Sequence, residues 1–231
     1  MAPARTRNLL PARLLALAVA GLLAAGAWAF STGEELARWM STYYQAPEPQ
    51  RLGEAVSRFV AEPHRLARPE RLDAPTHFFA VVARSGAPAR QSLAAFGDTL
   101  PAGAQKQFVD RVLNHSGKIE FARARDPNDL DVLWAHFAAT GSVEAARMVL
   151  AALDFQEQEV DLARPVWKAI KITDKPEAAR LVRSAAAWSL SRHAQGHPRV
   201  RDLLEKELAA AKSEPRRAQL RGILDGRIDL K

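Results

Sequence analysis

Apolar residues recur at helical spacing along almost the whole chain, and the strict alternation that marks a half-buried strand is nearly absent. Leu36, Trp39, Met40, Tyr43 and Tyr44 fall on one face of a helix that overlapping capping boxes in Ser31-Thr32-Gly33-Glu34-Glu35 would open. Pro47 and Pro49 stop it, and Leu52, Ala55, Val56, Phe59 and Val60 repeat the spacing up to Pro63. Residues 62–73 read as a polar connection. Pro75 suits the first turn of a helix carrying Phe78, Phe79, Val81 and Val82, and two weaker helices are expected over Arg90–Phe96 and Gln105–Leu113. Asp126 is placed to cap a helix with Pro127 in its first turn and a stripe of Leu130, Leu133, Trp134, Phe137 and Ala138. Gly141 ends that helix and Ser142 can cap the next, so Thr140-Gly141-Ser142 is the bend of a helical hairpin. A short helix within Leu162–Ile172 comes next. Asp174 with Glu177 opens a longer one that ends at Gly196-His197-Pro198, and two more follow, the second after Ser213-Glu214-Pro215. The pattern predicts an all-α fold of stacked antiparallel helical hairpins, α-solenoid-like or an irregular bundle, in one domain over residues 30–231 with a subdivision near 115–126.

The first thirty residues differ from this pattern. Arg5, Arg7 and Arg13 precede an uncharged apolar run from Leu14 to Phe30, closing on Ala27-Trp28-Ala29. A positive start, a short apolar middle and small residues at the cut make residues 1–29 an export signal, with cleavage between Ala29 and Phe30. The alternative is an uncleaved inner-membrane anchor over residues 14–30, which leaves the rest of the chain in the periplasm. With no cysteine in the chain, disulfides and thiolate metal sites are excluded, and a bacterial periplasm fits better than a disulfide-rich secreted setting.

Removing residues 1–29 takes away three arginines and no acid, so the formal charge falls from +7 to +4. Bases and acids are interspersed: Arg199–Lys231 holds nine Lys and Arg against six Asp and Glu, the mixture of a solvated helix surface and not of a nucleic-acid face.

Val182–Leu190 and Arg216–Leu224 start 34 residues apart, and each carries Arg-x-Ala with an apolar residue five positions on. This resembles a hairpin repeat of the HEAT type, which implies that Ala185 and Ala218 let neighbouring helices approach closely. The stretches Arg38-Trp39-Met40-Ser41-Thr42-Tyr43-Tyr44, Phe78-Phe79-Ala80-Val81-Val82 and Leu133–Gly141 resemble those of exported helical proteobacterial proteins of unknown function. That resemblance implies export and a helical fold, and it supplies no catalytic residue.

Candidate chemistry is sparse. His193 and His197 are spaced i, i+4, as two zinc ligands on a helix would be, but Gly196 and Pro198 break the helix between them and no Glu follows the first His. Both fit a helix C-terminus instead. His136 flanks its apolar stripe, where an imidazole can act as acid or base. Asp126, Asp129 and Asp131 lack the glycine and the ligand alternation of an EF-hand loop. Trp39, Tyr43 and Tyr44 share the period of the core. A surface contact would draw on Tyr43, Tyr44, His136 and Arg183.

No motif specifies a reaction, and no cofactor or metal is expected. The leading expectation is a non-enzymatic periplasmic scaffold that binds another envelope protein or peptide and no nucleic acid. One alternative is a periplasmic enzyme whose site is assembled from distant residues, with His136 and His193 the first suspects. The other is a membrane-anchored, envelope-associated protein. An enzyme predicts a deep apolar pocket with convergent polar groups, whereas a scaffold predicts a shallow groove and no strongly perturbed histidine.

Overall fold

The computed structural model describes residues 30–228, and among these there is no strand. The helices are α1 (Gly33–Thr42), α2 (Leu52–Val60), α3 (Pro63–Leu66), α4 (Asp73–Arg84), α5 (Ala87–Asp98), α6 (Ala104–Asn114), α7 (Pro127–Thr140), α8 (Val143–Ala151), α9 (Pro165–Ala169), α10 (Lys175–Gly196), α11 (Pro198–Ala210) and α12 (Glu214–Leu224). Their starts follow the sequence chemistry. Thr32 and Glu35 form a reciprocal capping box, and Asp126, Asp174 and Ser213 each accept a backbone N–H three residues on. Ser142 departs from expectation: its side chain makes no cap bond, and its own N–H donates to Thr140 Oγ1 at 3.1 Å. Residues 62–73 are also more than a connection, because Pro63 and Pro69 each start a short helical turn.

Two apolar cores are built on opposite faces of α7. One gathers α1, α2, α4, α5 and α6 around Leu36, Trp39, Phe59, Phe78, Phe79 and Phe108. The other gathers α7, α8, α10, α11 and α12 around Leu133, Phe137, Phe155, Trp167, Leu190 and Leu204. Ala135, Ala138 and Ala139 turn α7 toward the first core, while Leu130, Leu133, Trp134 and Phe137 turn it toward the second. The small alanines let α4 lie along α7, the most extensive helix pairing in the fold. Full burial of side chains such as Phe78 and Phe137 contributes about 1.5–3 kcal/mol each.

Two glycines are required by close packing. Gly141 is left-handed (φ 68°), and a Cβ there would stand 2.6 Å from the Tyr44 ring, so the α7–α8 bend and the end of α1 meet at a residue that has to be glycine. At Gly53 a Cβ would lie 2.5 Å from the Ser92 carbonyl oxygen, and the Gly53 N–H donates to Ser92 Oγ at 3.0 Å, which fixes how closely α2 approaches α5.

Two expectations are corrected. Ala218 is exposed in an open cleft, and Ala185 is half-buried, packed on the second core at the edge of a groove; the fully buried alanines of α10 are Ala178, Ala179, Ala186 and Ala194. The membrane reading also fails on the described residues. None of their helices is long and apolar enough to cross a membrane, and Phe30, the last residue of the supposed span, is packed in the first core against Trp39 with the Arg51 guanidinium over its ring. The export signal, the Ala29 side of the cut and the rest of the 14–30 run lie outside the described residues.

Candidate functional site

Five of the six histidines fall into two clusters, one on each side of α7. The first begins on α4, where Thr76 and His77 extend the buried face set by Phe79, Ala80 and Ala83, so His77 is carried against α7. There His77 Nε2 lies 3.0 Å from His136 Nδ1 in a hydrogen bond. His115 leaves the end of α6 in extended conformation and meets the His77 ring edge-on, with centroids 5.3 Å apart. Gly117 (φ 69°) then turns the chain so that its N–H donates to His115 Nδ1 at 2.9 Å. With Nδ1 accepting, neutral His115 carries its proton on Nε2.

A polar cleft of about 210 Å³ opens over this row. It is lined by Asp73 and His77 from α4, by His115, Lys118, Glu120, Phe121 and Arg125 from the following loop, and by Asp129, Val132 and Arg164. Its floor is an ion network at the start of α7. Arg125 forks onto Asp129 at 2.7 and 3.1 Å, and Arg164 bridges Asp129 at 3.2 Å and also binds Asp126. Asp126 and Asp129 are buried, so two guanidiniums neutralise two carboxylates that capping alone would have left charged in the interior. Asp73 is paired with Arg111 and Glu120 accepts from Ser116, while the Lys118 ammonium has no protein partner among the described residues.

Burial favours the neutral form throughout the cluster. His77 is pushed down to about 4, first by desolvation and then by its two histidine neighbours, and burial lowers His136 as well. Burial also lowers His115, with the Glu120 charge opposing it.

The second cluster is a packing unit. His193 stacks on Trp134 with centroids 3.8 Å apart, and burial pushes it down to about 4. His197 caps α10, and its Nδ1 lies 3.1 Å from Tyr44 Oη. Both rings are therefore engaged, and among the described residues no group of three or more His, Cys, Asp or Glu is placed to hold a metal ion.

The structure separates the residues that sequence reasoning grouped. His136 joins the cleft cluster from behind, but His193 lies with Trp134 and Phe137 on the other side of α7. Tyr43 is buried between Trp39 and Phe78, away from the surface, and Tyr44 packs on Phe137. Arg183 donates to the Phe155 carbonyl oxygen at 2.8 Å. His77 and His115 were missed. The Asp73/His77 i, i+4 spacing is the single local signal for the former, and nothing local ties either to His136.

A second opening, an exposed groove of about 520 Å³, runs between the α4 start, α7, α9 and α10. Val166, Ala169, Ile170, Leu181 and Ala185 form its apolar wall, and Glu70, Arg71 and Asp131 stand on its polar side. Surrounding protein and, secondarily, the Asp126 charge push the Asp131 carboxyl upward; solvent reaches that side chain and limits the rise. Trp188, one turn beyond Ala185, is 55 % exposed and Ile170 45 %. The openings are thus grooves and not deep pockets, whereas two histidines are strongly perturbed, so the two criteria for scaffold and enzyme point in opposite directions.

Comparison with family models, with curated proteins and with solved structures finds no match to this chain.

Proposed function

We propose that this is an exported helical protein whose working site is the histidine cleft over α4 and α7, where it performs general acid–base chemistry on a small carboxylate-bearing molecule. The arginine-led apolar opening and the Ala27-Trp28-Ala29 triplet support export to the periplasm. The observation that carries the site reading is the His77–His136 bond, with His115 edge-on to His77, at the head of a polar cleft. Lys118 supplies a positive charge with no partner among the described residues, and the His115 Nε2–H is a donor for a ligand oxygen on which negative charge develops. Glu120 is the carboxylate available to take up a proton, and His77 with His136 positions His115. Long-range ¹⁵N NMR of the imidazoles, read while small hydroxy- and keto-carboxylates are added, tests this. The expected result is an Nε2–H tautomer for His115 whose signals move on saturation, with the response lost in His115→Gln. Unmoved imidazole signals across the series would refute the reading.

The exposed Ile170 and Trp188 favour a second reading, that the open groove receives an apolar segment of another envelope protein. A photo-crosslinker at position 188 should then yield a discrete adduct that Leu181→Glu abolishes. An adduct pattern indifferent to Leu181→Glu would remove the groove from consideration.

A further inference from the structure

A third opening, between α10 and α12, has a different chemistry. Its volume is about 370 Å³, and Arg180, Arg183 and Arg227 line it together with Ser184 and Gln219; among the described residues no carboxylate lines it. Each polar group is placed as a donor. Arg183 is anchored by its bond to the Phe155 carbonyl, a neutral acceptor that fixes the guanidinium without cancelling its charge. Gln219 Oε1 accepts from Arg216 at 2.8 Å, so its amide N–H groups remain to donate. Arg180 and Ser184 have no side-chain partner among the described residues. Arg227 is ion-paired with Asp225. Ala187, Ala218 and Ile223 supply an apolar side, and at Gly222 a Cβ would stand 2.8 Å from the Arg227 carbonyl oxygen, so glycine there keeps the Arg227 segment close against α12.

We propose that this cleft is an anion site for a small soluble phosphorylated molecule, distinct from the histidine cleft. Planar guanidiniums match phosphate oxygens two at a time, and three of them beside two neutral donors suit a group carrying two or more negative charges. The apolar side and the modest volume suit a small organic remainder, and Arg183, held by Phe155, is the pre-organised contact.

The test is calorimetric titration of the protein with pyrophosphate at fixed ionic strength, with a parallel titration of vesicles containing phosphatidylglycerol. Saturable 1:1 binding of pyrophosphate is expected, weakened at least tenfold by Arg180→Gln and by Arg183→Gln. Arg201→Gln, on α11 and paired with Glu205 outside the cleft, should leave it unchanged. Arg180 has no side-chain bond among the described residues, so its variant keeps the test valid should Arg183→Gln perturb folding. Equal weakening by Arg201→Gln, absence of saturable binding, or capture by vesicles alone would each overturn the proposal. The His115→Gln variant should bind pyrophosphate normally, which separates this site from the histidine cleft.

Discussion

Arg164 does more for this fold than its place in a polar loop suggests. It reaches back to two buried carboxylates at the start of α7, and its removal would leave Asp126, 1 % exposed, without its direct ion-pair partner. Arg164→Ala is therefore expected to cost about 3–5 kcal/mol, the penalty of an orphaned interior charge, measured by urea denaturation. Gly53→Ala tests steric fit alone. It should cost about 1–3 kcal/mol, because α2 has to draw away from the Ser92 backbone; a smaller loss would show that α2 and α5 can slide apart freely. The acids of Asp126-Pro-Asn-Asp129 were legible as helix-start residues. Their partner Arg164 was not, since it stands 38 positions from Asp126 and no local pattern encodes that pairing.

At the level of elements, helix positions were legible wherever capping and periodicity agreed. Thr32, Asp126 and Asp174 each cap where the sequence places them. The Arg-x-Ala likeness between Val182–Leu190 and Arg216–Leu224 did not place Ala218, because Ala-rich amphipathic helices carry such spacings on their solvent faces as readily as on their packed ones. α10 illustrates why. One face packs Val182, Ala186 and Leu190 into the core, and the face bearing Leu181, Ala185 and Trp188 lines or adjoins an open groove, so apolar spacing alone could not say which side is covered. The bend after α7 gives a sharper expectation. Gly141→Ala both occupies a left-handed position and collides with Tyr44, so it should lower the melting temperature by roughly 4–10 °C, near 2–3 kcal/mol for a chain of this size.

For the whole molecule, the histidine clusters couple stability to acidity. His77 and His193 both sit near 4 in the folded protein against an ordinary 6.5, so the unfolded chain takes up protons first as pH falls. Their contribution is complete above about pH 6.5 and is lost progressively as pH falls toward 4. Allowing for nearby water, a loss of about 1 kcal/mol for each is expected at pH 5, seen as a melting temperature lower by roughly 4–8 °C than at pH 7. His193→Gln should reduce that dependence, while a flat profile from pH 7 to 5 would contradict the burial of both rings. None of this was legible beforehand. His136 and His193 looked equivalent as isolated imidazoles, and it is the packing of α4 on α7 that gave His136 a hydrogen-bonded histidine partner 59 residues away in sequence.

α7 serves both interiors at once, like a party wall between adjoining houses. Severing the chain on either side of it would strip one room of a wall, so neither half should survive as an autonomous fragment. Peptide hydrogens in the middle of α7 should then be released to solvent only when the entire molecule opens, making them the slowest to exchange in deuterated water.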